Sequence, residues 1–178
     1  MKIMPRISLL ILALAVSACE SATAPDVVQT DALTLTPADA APHMAAAGTF
    51  DQTTITSLEF RQAGPNTILD QTSAGSVTGT LTGSYTDELK VVIHSDGRFN
   101  AHFTIRCQCM VAGQYGVIDL VASDTGELVS PTVASFKGRA VITGGTADLA
   151  DLHGVLEIDG TIDLMSGLAT YTYAGRIH

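Results

Sequence analysis

Basic side chains are scarce in this 178-residue chain, 9 Lys and Arg against 18 Asp and Glu. A surface of that sign repels phosphate backbones, so nucleic acid is excluded as a partner, and it gains nothing from anionic headgroups either. Cysteine is equally sparse, three in all, at positions 19, 107 and 109. No Gly-x-Ser-x-Gly elbow presents a nucleophile, and Gly144-Gly145 has neither a following lysine nor a Gly-x-Gly-x-x-Gly frame to cradle a phosphate. Nothing in the chain spells out a reaction, and no catalytic residue, cofactor or metal is expected.

What is present begins at the front. Lys2 and Arg6 precede an apolar run from Ile7 to Leu14, and Val16-Ser17-Ala18 stands directly before Cys19. The run is too short to span a bilayer, and small residues at Ser17 and Ala18 fit a peptidase cleft. The segment resembles the bacterial lipoprotein lipobox, which implies that residues 1–18 are removed and Cys19 becomes an acylated N-terminus. Losing the leader leaves 7 basic side chains against 18 acidic, a formal charge of −11, so attachment to a membrane would come from covalent lipid and not from a basic patch. Glu20 after Cys19 favours the outer over the inner membrane under the enterobacterial sorting pattern, with the domain in the periplasm or at the cell surface. Residues 19–47, rich in Ala, Thr, Asp and Pro without an aromatic among Glu20 to Ala47, read as a tether. The remainder, residues 48–178, is long enough for one core of ordinary size, roughly 130 residues.

Beyond Gly48 the dominant period is two. Phe99, Ala101, Phe103, Ile105, Cys107, Cys109 and Val111 alternate with Asn100, His102, Thr104, Arg106, Gln108 and Met110, as one dry strand face requires. The same alternation recurs around Leu156–Leu164 and Tyr171–Ile177, and more weakly through Val77–Tyr85 and Leu89–Ile93, with further strands at 54–62, 67–72, 115–121 and 132–143. Gly64-Pro65-Asn66, Ser95-Asp96-Gly97, Asp124-Thr125-Gly126 and Ser166-Gly167 carry turn chemistry. Between Gly144 and Gly154 a short helical turn is predicted, capped by Thr146. Eight or nine short-linked strands point to a barrel or a sandwich. Closure leaves no edge to aggregate, so the fold class read here is all-β, a closed antiparallel up-and-down barrel of about eight strands.

The segment from Phe136 to Ile177 resembles the C-terminal half of the DUF3224 and allene oxide cyclase barrel-like families. Gly144, Gly145, Thr146, Leu149, Ala150 and Gly154, then Ala169, Thr170, Tyr171, Tyr173 and Gly175, fall on their turn and closing-strand pattern, while Ala147 and Asp151 stand where glycine is usual. The resemblance implies a closed barrel of about eight strands and carries no reaction with it.

Cys107 and Cys109 read first as two small buried hydrophobes, because residues i and i+2 of a strand lie about 6.5–7 Å apart, at the edge of what a bridge tolerates. A strained bridge, an intermolecular bridge and a metal pair are the alternatives; for the last, His94, His102, His153 and Asp119 are the nearest further ligands, but His94 and His102 alternate away from the dry face. Asp87-Glu88, Asp148 with Asp151, and Glu157 with Asp159 read as turn residues or a wet face. Tyr85, Tyr115, Tyr171 and Tyr173 are the candidates for lining a lumen that holds a small hydrophobic ligand. The expected function is therefore a lipid-anchored envelope barrel acting as a non-catalytic binding or structural module; the rival is a cyclase- or isomerase-like enzyme using the same lumen. The sequence does not determine an oligomeric state.

Overall fold

The computed structural model describes residues 43–178. The expected leader, Cys19 and the tether as far as residue 42 lie outside the described residues. Eight strands follow in chain order: β1 Met44–Ala63, β2 Asn66–Gly79, β3 Leu81–Ile93, β4 Arg98–Val111, β5 Gln114–Ser130, β6 Val133–Gly145, β7 Gly154–Asp163 and β8 Ala169–Ile177. Each pairs antiparallel with its chain neighbour, and β1 pairs with β8 from Met44↔Ile177 to Asp51↔Thr170, closing the ring. Alternation places one side chain of every pair inside. On β4, Phe99, Phe103, Ile105, Cys107, Cys109 and Val111 are buried while Asn100, His102, Thr104, Arg106 and Gln108 face out.

The two ends of the barrel differ. Both termini of the described chain, the β2–β3 and β4–β5 turns and the 3-10 turn Ala147–Leu149 gather at one end. Leu149, 1 % exposed, plugs that end over the fully buried Leu81, Ile118, Leu156 and Ile177. Tyr173 fastens the plugged half: its hydroxyl accepts from the Leu81 N–H at 2.8 Å and lies 3.3 Å from the Thr78 carbonyl, tying β8 to the β2–β3 turn. Tyr173→Phe strands a buried N–H, so stability should fall by about 1–3 kcal/mol. The measurement is the urea midpoint at unchanged m-value; an unmoved midpoint would contradict the role.

Several expectations need correction. β1 starts at Met44, ahead of Gly48, because Ala46 is buried and Met44 to Ala47 pair with β8. The alternating run Val77–Tyr85 is not one strand. It reverses at Gly79-Thr80, where Gly79 has φ +105° and Thr80 donates to the Ala47 carbonyl at 2.9 Å. Conversely, Asp124-Thr125-Gly126 is no turn: β5 runs through it, paired on both sides. The helical turn after Thr146 exists with Thr146 at its N-cap position, but the side chain makes no capping bond; its hydroxyl accepts from the Val117 N–H at 3.1 Å instead. Ala147 takes φ +53°, in the left-handed region that favours glycine. Cys107 and Cys109 share the dry face as the period requires, yet they are joined as a disulfide with Cα atoms 5.3 Å apart, closer than an extended strand sets them.

Candidate functional site

From its middle to the end opposite the plug the barrel is open. The β1–β2, β3–β4, β5–β6 and β7–β8 turns surround this mouth, and below it lies a cavity of about 300 Å3, at the lower end of the roughly 300–1,000 Å3 usual for small-molecule pockets. Its walls are apolar: Leu89 and Val91 from β3, Phe99, Ala101 and Phe103 from β4, Ala134 and Phe136 from β6, and Ala169 from β8. Leu58, Phe60, Leu128, Leu164 and Met165, all exposed, form an apolar rim. Tyr171 lies on the floor, stacked on Phe50 with ring centroids 5.0 Å apart and edged by Phe136 at 5.8 Å and Phe103 at 6.4 Å.

Two carboxyls face into this space. Asp87 on β3 is 3 % exposed and satisfied: Gln52 Nε2 donates to it at 3.0 Å and the Ser73 hydroxyl donates to its other oxygen. Gln52 is held in turn by the Ala169 N–H, which donates to its Oε1 at 2.9 Å just past the last β1–β8 pair, so a side chain continues the seam where the ladder stops. Burial pushes the Asp87 carboxyl above the usual range, while the Ser73 and Gln52 donors pull it partly back. Asp124 on β5 is also 3 % exposed, but neither of its oxygens has a hydrogen-bond partner in the protein. Burial alone pushes its pKa up to about 7. Its cross-strand neighbours are Ala101 and Gly138, and a Cβ at Gly138 would collide with the carboxylate, so glycine leaves the acid its place. The Tyr171 hydroxyl is likewise unpartnered, its pKa driven well above the phenol value by burial and then by the fields of Tyr85 and Asp87.

Of the four tyrosines singled out from sequence, only Tyr171 lines the cavity. Tyr85 and Tyr173 are buried, but they and Phe50 lie outside the cavity lining, in the same aromatic layer, with Phe50 5.1 Å from Tyr85 and 5.3 Å from Tyr173. Tyr115 is outside altogether, 55 % exposed, because the inward positions of β5 are the even ones, Ile118, Leu120, Ala122 and Asp124. Asp87 and Asp124, read as wet or turn residues, are the groups that sequence reasoning missed. The signal was phase: Asp87 falls in step with Leu89 and Val91, and Asp124 with Leu120 and Ala122, on the inward face.

No family model matches this chain, and no curated protein matches it. Among solved structures it is similar to two pterocarpan synthase dirigent proteins. GePTS1 aligns at 11 % identity over 76 % of this chain and 87 % of its own, with a TM-score of 0.44. PsPTS1 aligns at 12 % identity over 77 % and 95 %, with a TM-score of 0.30. The class of protein is set by the strands themselves: an all-β, closed, eight-stranded antiparallel barrel with one end plugged and the other open.

Proposed function

We propose that this chain is a binding module for a small hydrophobic molecule, held in the open half of its lumen and fixed to the bacterial cell envelope through lipid on Cys19. The observation that carries the binding reading is the cavity. Protein interiors are packed to the density of organic crystals, and unfilled apolar volume costs stability. A barrel built only to be rigid gains nothing from leaving about 300 Å3 open under an apolar rim. Support for the anchor is the Val16-Ser17-Ala18-Cys19 pattern. The Gly144–Gly175 pattern supports a place among the DUF3224 barrels.

The full chain should bind N-phenylnaphthylamine, a neutral apolar fluorophore, saturably at one site. Ala101→Trp, which fills the cavity, should weaken that binding by at least about tenfold while melting cooperatively. Absence of saturable binding, or a folded Ala101→Trp that binds as well as the parent, would overturn the reading.

A second reading, a cyclase- or isomerase-like enzyme, is favoured by one observation: Asp124 stands unpartnered in the cavity beside apolar surface, where burial pushes its carboxyl up to about 7 and a proton donor or acceptor is useful. Native mass spectrometry of the full chain separates the two. A co-purified molecule that stays unchanged on incubation supports binding, and one converted to an isomer of equal mass and altered chromatographic retention supports catalysis.

A further inference from the structure

We infer that the molecule this lumen is built to hold is an amphiphile with a protonated amine head, received by Asp124 on the cavity wall. The inference rests on the binding reading and deepens it.

The polar side chains on the cavity wall are Gln52, Gln71, Asp87, Asp124, Ser166 and Tyr171; no lysine, arginine or histidine lines it. The interior therefore carries two acids and no base. Asp87 is already saturated by Gln52 and Ser73. Asp124 is the opposite case, an acid with no donor aimed at either oxygen, 3 % exposed and facing the cavity. An unpartnered buried carboxyl is among the most costly groups a fold can retain; the wall offers it no basic side chain, and none of the wall's amide or hydroxyl donors bonds to it.

Ligand classes can be ranked by what they bring to that oxygen pair. A fatty acid adds a further negative group to a lumen that already holds two acids, and it is disfavoured. An alcohol brings one hydroxyl donor. An ammonium brings three donors and the opposite charge, and charge-assisted hydrogen bonds are roughly twice as strong as neutral ones. The same wall carries the rings of Phe99, Phe103, Phe136 and Tyr171, whose faces attract a cation as well as an alkyl chain. The apolar rim then suits the tail, which points outward along Leu58, Phe60, Leu128 and Leu164.

The test is calorimetric titration of the full chain at neutral pH with octylamine, octanol and octanoate, three probes of one length that differ in the head alone. Octylamine should bind at least about tenfold more tightly than octanol, and octanoate should bind most weakly. Asp124→Asn should bring octylamine down to the level of octanol. Equal affinities for amine and alcohol, tightest binding of octanoate, or an amine preference that survives Asp124→Asn would overturn the inference and leave the pocket reading standing. Failure of all three probes and of N-phenylnaphthylamine would overturn both.

Discussion

Phe50→Ala should cost about 3–5 kcal/mol of folding stability. Phe50 is 1 % exposed and touches three other rings, Tyr85, Tyr171 and Tyr173, with centroids 5.0–5.3 Å away. It sits on β1 opposite Tyr171 of β8, on the seam that closes the ring, and opposite Val77 of β2. Removing its ring opens a void beneath Tyr171, in the aromatic layer that lies under the cavity. Phe103→Ala is the control. Phe103 lines the cavity and is 6 % exposed, so one side of its ring already faces open space and its loss should cost less. Urea melts of both variants check the order; a Phe103→Ala that is the more damaging would show that the aromatic layer is not what holds the two halves together.

The architecture was legible because its signals are local. A strand with one dry face writes itself as alternation, and Phe99 to Val111 did so without a break, as did the turns at Gly64-Pro65, Ser95-Gly97 and Ser166-Gly167. The errors arose where one local signal imitates another. Val77, Gly79 and Leu81 keep phase across a reversal, since a turn at Gly79-Thr80 that returns the chain directly need not disturb parity. Asp124-Thr125-Gly126 has turn composition, yet Gly126 serves close packing: a Cβ there would run into Phe99. Whether an acid in such a triplet is wet or buried depends on Ala101 and Gly138, which lie on other strands and meet it only after folding. The cavity was illegible for the same reason. Its walls come from all around the ring, and no stretch of sequence states that their side chains fall short of filling it.

Asp124→Asn should leave stability almost unchanged below about pH 4, raise it by roughly 1–2 kcal/mol near pH 5 and by roughly 4 kcal/mol near pH 8. An unfolded aspartate titrates near 3.9, and in the folded barrel burial raises Asp124 to about 7. Between those values the folded state holds the extra proton, so stability is highest below about pH 4 and is lost as pH rises through about 7. The groups facing Asp124 across the lumen do not supply a counter-charge: Asp87 of β3 is itself an acid, Tyr171 of β8 stays neutral, and its neighbours on β4 and β6 are Ala101 and Gly138. Asparagine keeps the shape and removes the charge. The variant's stability should therefore decline less between about pH 5 and pH 8 than the parent's, the residual slope coming from Asp87, which is raised by burial in the same direction. Parallel pH curves for parent and variant would mean that Asp124 finds a donor in the folded protein. If the curves diverge as expected, the ionised acid is a strain held in the empty lumen, and a cationic ligand that relieves it must also raise the melting temperature of the parent more at about pH 8 than at about pH 5.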